Sequence, residues 1–177
     1  MAGVKWALDP SHSELQFKVR HLMITNVNGT FGTFKGEVET QDTDFATAKI
    51  DFSAETATVN TNNAQRDGHL KSADFFDVEK YPALKFTSTS VTKVDDENYK
   101  LSGDLTMLAV TKPVTLTVEY GGTITDPWGN TRAGFTIDGK INRKDFGLSW
   151  NATTEAGGLM LSEDVKLHAT VEIVKQP

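Results

Sequence analysis

The chain of 177 residues contains no cysteine. That removes disulfides, thiol nucleophiles and cysteine-ligated metal from consideration, and leaves the redox compartment open. It also lacks an excess of positive charge. Its 18 lysines and arginines stand against 24 acidic residues, a formal charge of −6, and no basic run breaks that balance. Nucleic acid is a poor partner for such a surface. No apolar stretch approaches the roughly 20 residues that a membrane-spanning helix needs. The opening residues, Met1 to Trp6, lack the apolar centre of a secretory leader and run directly into Asp9-Pro10-Ser11-His12. As written, the chain is expected to be cytoplasmic, and periplasmic if it begins after a cleaved leader. No G-x-S-x-G is present. Gly29, Gly32 and Gly36 have the wrong spacing for a phosphate loop, and no helix follows them.

What the sequence has in abundance is alternation. Leu15, Phe17, Val19 and His21 alternate with Glu14, Gln16, Lys18 and Arg20. The same period of two runs through Phe34, Gly36 and Val38, then through Ala48, Ile50, Phe52 and Ala54. It resumes in Leu84, Phe86 and Ser88, in Leu101, Gly103, Leu105 and Met107, and in Val114, Leu116, Val118 and Tyr120. Phe135, Ile137, Gly139 and Ile141 form the seventh segment, and Val165, Leu167, Ala169, Val171 and Ile173 the eighth. Each reads as a strand with one apolar and one wetted face. Turn chemistry separates them: Asn28-Gly29, Asp95-Asp96-Glu97-Asn98, Gly121-Gly122 and Asp126-Pro127-Trp128-Gly129-Asn130, with a longer loop from 151 to 163 that includes Gly157-Gly158. No composition break divides the chain, so 1–177 reads as a single domain. Eight strands on short turns fit an antiparallel meander closed into a barrel, and equally a two-sheet sandwich.

An eight-stranded barrel is either packed with side chains or holds one small ligand. Six inward positions are small: Gly36, Ala48, Ala54, Gly103, Gly139 and Ala169. They leave volume unless large neighbours such as Phe17, Phe34, Phe52, Phe86 and Phe135 fill it. Glycine also relieves strain where strands bend. A hollow barrel with this lining suits a hydrocarbon chain. Burying about ten methylenes at ~0.8 kcal/mol each gives roughly 8 kcal/mol, near micromolar affinity before ordering costs. A bulky side chain at Ile50 or Gly103 is then expected to block the cavity and leave the barrel folded.

One long segment, 66–86, does not alternate. Asn62 and Asn63 offer an N-cap, Asp67 and Lys71 are spaced i, i+4, and Pro82 makes Tyr81 extended, so a short helical insert over about 62–80 is predicted. Leu70, Phe75 and Phe76 supply its apolar side. This insert either roofs a cavity or plugs one end of a packed core. Arg66 and His69 share a helix face, where they meet a ligand head group or tie the insert to strand ends.

The four histidines, His12, His21, His69 and His168, show no His-x-His or i, i+4 ligand spacing. No metal or other cofactor is called for. The rival to a binding protein is a small metal-dependent or stress-related enzyme that uses His21, His69 and nearby acids at the barrel rim.

Arg66-Asp67-Gly68-His69-Leu70, Ser72, Asp74-Phe75-Phe76-Asp77, Tyr81-Pro82 and Phe86 together resemble the central motif of the YceI-like family. Trp6-x-Leu8-Asp9-x-x-His12-Ser13 with Phe17-x-Val19-Arg20-His21 is similar to its N-terminal pattern. Gly103-x-Leu105-Thr106 with Val110-Thr111-Lys112-Pro113-Val114, and Ile141-Asn142-Arg143-x-Asp145-Phe146-Gly147-Leu148, extend the likeness over nearly the whole chain. Ala109 departs from the pattern, standing where the family has glycine. The resemblance implies an all-β fold, an eight-stranded antiparallel lipocalin-like up-and-down barrel with a short helical lid insert between strands 3 and 4. It implies a non-enzymatic protein that takes up an isoprenoid or fatty-chain lipid, a polyisoprenoid or isoprenoid quinone precursor above all, for transport, storage or sensing. The resemblance also implies a possible homodimer, since relatives often associate as dimers. The residues expected to meet the lipid are Phe17, Val19, His21, Phe34, Ile50, Phe52, Arg66, His69, Leu70, Phe75, Phe76, Phe86, Leu105, Met107, Leu116, Phe135 and Ile137.

Overall fold

The computed structural model describes residues 3–22, 24–150 and 161–177. Its strands are β1 (Gly3–Leu8), β2 (Glu14–His21), β3 (Thr25–Phe31), β4 (Phe34–Gln41), β5 (Asp44–Glu55), β6 (Val59–Asn60), β7 (Ala83–Lys93), β8 (Asn98–Met107), β9 (Val110–Thr125), β10 (Thr131–Asn142) and β11 (Leu161–Lys175), with one α-helix, α1 (Ala64–Lys71). β1 and β2 are one strand interrupted by a 3-10 turn at Pro10–His12, because both pair with β11: Leu8 faces Ile173, and Leu15 faces Ala169. β3 and β4 likewise continue one another, β3 along β2 and β4 along β1. β6 prolongs β5 and pairs with β3. The barrel therefore has eight staves, each antiparallel to the next in chain order, and β11 closes it on β1 and β2. Closure leaves no free sheet edge around the ring, which an open sandwich would have.

The alternating segments are the staves, but two glycine-containing dipeptides read as turns, Asn28-Gly29 and Gly121-Gly122, lie inside strands. Gly29 is in β3 opposite Phe17, whose ring lies over it in the space a Cβ would take. Gly121 and Gly122 are in β9: Gly134 faces Gly122 and Phe135 faces Tyr120, so Gly121 is the extra residue of a bulge, and Gly122 has φ +119°. The turn that joins β9 to β10 is instead 126–130, where the Asp126 carboxylate accepts from Trp128 and Asn130 backbone N–H groups. Of the expected 151–163 loop, residues 151–160, with Gly157-Gly158, lie outside the described residues; 161–163 begin β11. Ala109 leaves the β8–β9 turn intact, since the positive φ there falls on Leu108.

The two ends differ. At one, Phe45 packs against Trp6, Tyr120 and Phe135 with ring centroids 5.0–5.4 Å apart, and Trp6 donates its indole N–H to Thr40. These aromatics close the base. At the other end sits α1 with the segment that follows it.

Candidate functional site

The helix begins where the sequence predicts. Asn63 is the N-cap and its side chain accepts from the Arg66 backbone N–H at 3.0 Å. The expected Asp67–Lys71 pair gives way to a stronger tie. Asp67 accepts from the backbone N–H and hydroxyl of Thr61, while Arg66 donates Nε to the Thr61 hydroxyl at 2.8 Å and Nη2 to its carbonyl at 2.7 Å. Buried Thr61 thus fastens α1 to the end of β6, a desolvated contact that a solvated i, i+4 pair cannot match. After the helix, Phe76 donates its N–H to the Leu70 carbonyl. Phe75 and Phe76 are both buried, Phe76 edge-on to Phe31 and Phe75 against Trp150. His69 stands between Phe75 and Trp150 and meets the Asp74 carboxylate through Nε2 at 2.9 Å.

Beneath this roof the barrel is hollow. The cavity measures about 670 Å³, inside the ~300–1,000 Å³ range of ligand pockets. Every residue expected to meet the lipid is on its wall. Phe17, Val19, Phe34, Ile50, Phe52, Phe86, Leu105, Met107, Leu116 and Ile137 line the barrel, and Phe135 the base. His21 lies at the lid end, and Arg66, His69, Leu70, Phe75 and Phe76 come from the insert. The origin of the space is partly different from that expected. Gly36, Ala48 and Ala169 line it, whereas Ala54, Gly103 and Gly139 do not. The places above Gly103 and Gly139 are taken by the Phe86 and Leu116 side chains.

Sequence reading missed Phe31, Phe45, Tyr99, Leu148 and Trp150, which complete the apolar wall. It also missed the most consequential polar group, Arg143, only 3% exposed. Arg143 follows Ile137, Gly139 and Ile141 in inward parity, so continuing the alternation past the end of β10 would have found it. Its Nε donates to the Ser162 carbonyl at 2.8 Å, and Nη1 donates to the carbonyls of Leu148 and Trp150. Burial pushes this guanidinium below its ordinary pKa, opposed by the field of Glu163.

Two other histidine–carboxylate contacts lie among the described residues. Ser11 and Asp9 both meet the same nitrogen, Nδ1, of His12, so no proton relay runs through the imidazole, and this turn lies off the cavity wall. His168 pairs with Asp138 across β10 and β11, both side chains open to solvent. Among the described residues no three or more His, Asp or Glu side chains are placed to hold a metal ion. No described helix is long and apolar enough to cross a membrane.

The family model of the YceI-like domain matches residues 6–173. Protein YceI of Escherichia coli O17:K52:H18 (strain UMN026 / ExPEC) is 43% identical over 175 residues, 99% of this chain and 88% of the relative. The crystal structure of the Campylobacter jejuni YceI protein is 35% identical, with a TM-score of 0.78 over 90% of this chain and 91% of that one. A polyisoprenoid binding domain from Saccharophagus degradans, implicated in plant cell wall breakdown, has a TM-score of 0.71 at 16% identity, over 97% of this chain and 98% of that one. That last likeness is one of fold. Matched along nearly its whole length, with the barrel closed and roofed as the motif implies, the chain belongs to the YceI-like family.

Proposed function

We propose that the protein binds a long-chain apolar lipid inside the barrel, a polyisoprenoid or isoprenoid quinone precursor, and serves as its carrier, store or sensor. The observation that carries this reading is the cavity itself, whose wall is built from aliphatic and aromatic side chains of all eight staves. The description of the Saccharophagus degradans domain as polyisoprenoid binding supports it. A hydrocarbon chain gains from every methylene taken out of water, ~0.8 kcal/mol each, and needs no charged anchor along its length. The tail lies against Phe17, Phe34, Phe52, Phe86, Leu105, Leu116 and Ile137, and stops at the aromatic base around Phe45 and Phe135. Phe75 and Phe76 close over it. Arg66 and His69 are already committed to Thr61 and Asp74, which favours a positioning role in the roof over direct capture of the head group.

Native mass spectrometry of the protein purified from its own host, before and after organic extraction, tests the reading. A lipid of defined mass at about one per chain is expected. A protein of bare polypeptide mass that also fails to take up prenyl alcohols after extraction would leave the barrel without this function.

A further inference from the structure

We propose that the protein docks on anionic lipid bilayers through a row of cations on the outside of the barrel, next to its mouth. Lys18, Lys166 and Lys140 stand side by side on three neighbouring strands. Lys18 of β2 is the register partner of Lys166 in β11, and Lys166 is that of Lys140 in β10. Their chain neighbours Phe17, Val19, Leu167 and Ile141 line the cavity, so the three lysines point the other way and are exposed. Arg20, two residues beyond Lys18 on the same face, extends the row toward the mouth. The four cations border one surface groove with Asn26, Ser162 and Asp164.

The fold gains nothing from this row. Like charges directly opposite on adjacent strands destabilise a sheet, and Lys166 has one on each side. In a chain of formal charge −6 the groove holds a single acid, Asp164, 3.7 Å from Lys140. Among the described residues Lys18, Arg20 and Lys166 make no ion pair, and acids at flanking positions are engaged elsewhere, Asp138 by His168 and Glu163 by Lys144. The counter-charge therefore comes from outside the chain. Apolar groups adjoin it. The turn from β2 to β3 presents Leu22 and Ile24, 38% and 75% exposed. Ile24 donates its N–H to the His21 carbonyl, and His21 is on the cavity wall at the lid end, which makes this turn part of the rim. A soluble anion would satisfy the lysines and leave Leu22 and Ile24 in water. An anionic bilayer takes both, since interfacial binding adds buried apolar area to attraction of the cations.

Co-sedimentation of the full-length protein with vesicles tests this, using phosphatidylcholine alone and phosphatidylcholine mixed in equal parts with phosphatidylglycerol. Each cation at an anionic surface is worth about fivefold in partitioning, so binding to the mixed vesicles is expected to be about tenfold or more tighter. Raising salt from about 0.1 M to about 1 M, which shortens the screening length from ~10 Å to ~3 Å, should abolish the difference. Lys18→Gln with Lys166→Gln should remove about tenfold of the preference or more. Ile24→Ser should weaken binding to the mixed vesicles while keeping its salt dependence. Equal binding of wild type to both vesicles, or a preference that survives in the double variant, overturns the docking surface. So does capture of inositol hexakisphosphate by a protein that ignores both vesicles, which would assign the row to a soluble anion. A second measurement, which rests on the lipid-binding reading, follows transfer of a fluorescent prenyl alcohol into the protein. The double variant should slow transfer from mixed vesicles and leave transfer from phosphatidylcholine unchanged. Sedimentation with mixed vesicles but no transfer from either would support the docking surface and overturn the lipid reading alone.

Discussion

Gly103 lies against Phe86 so closely that a side chain at 103 has no room: a Cβ would come within 2.4 Å of Phe86 Cζ and 2.6 Å of the Thr87 carbonyl oxygen. The ring is itself part of the cavity wall. Glycine at 103 therefore seats a wall residue, which is a different job from leaving space for a ligand.

Gly103→Ala is expected to destabilise the barrel by about 1–3 kcal/mol, the usual cost of overpacking, because the backbone oxygen cannot yield as a side-chain tip can. Gly103→Phe should not fold. Urea denaturation checks both. A Gly103→Ala protein with wild-type midpoint would remove the close approach from the account.

Ile50→Trp behaves differently. Ile50 lines the cavity and has open volume before it. The variant should keep its circular dichroism spectrum and lose uptake of a fluorescent prenyl or fatty probe by tenfold or more. Undiminished uptake would place the ligand elsewhere.

The base depends on Phe45, packed against Trp6, Tyr120 and Phe135. Phe45→Ala removes the shared ring and should cost about 3–5 kcal/mol in equilibrium unfolding. A loss below 1 kcal/mol would show that the base repacks.

Arg132 joins three parts of the chain through Asp9, Asp126 and Glu172, at 2.7–3.1 Å. The Arg132 guanidinium is the first cause holding the Asp126 carboxyl at about 2, against an ordinary 3.8. Asp9 is held well below its ordinary range by the Ser11 hydroxyl first, then by Arg132 and His12. Both carboxyls are depressed, so their contribution is complete above pH 3.8; that of Asp126 is lost as pH falls through about 2, and that of Asp9 lower still. Urea midpoints should fall more steeply over that window in wild type than in Arg132→Met. Parallel curves would mean the network does not contribute.

The roof is tested at its cap. Asn63→Ala removes the side-chain acceptor of α1 and should cost about 1 kcal/mol, felt as faster amide exchange in 64–71 with β7 to β10 unchanged. Unaltered exchange would mean that Thr61 alone holds the helix.

Much of this was legible in the chain. Period-two alternation marked all eight staves because each has one face in water and one in the interior. The N-cap at Asn63 and the stop at Tyr81-Pro82 are local chemistry, so the insert was placed closely. What alternation could not reveal is what fills the far side of a glycine. Gly29 and Gly121-Gly122 carry turn residues, yet Gly29 serves the ring of Phe17 across the strand and Gly121 absorbs a register shift. Both uses depend on a partner strand distant in sequence.

The sequence by itself determined an acidic, cysteine-free chain of inward apolar faces with a polar-apolar insert, since composition, periodicity and capping act over a few residues. Only the tertiary structure decided that the sheet closes, that Phe86 and Leu116 occupy the places above Gly103 and Gly139, and that about 670 Å³ stays open between a Phe45 base and a Phe75–Phe76 roof. It alone left Arg143 with an unmet nitrogen at that roof. Volume and hydrogen-bond satisfaction are sums over residues brought together from every stave, and no local stretch of chain contains them.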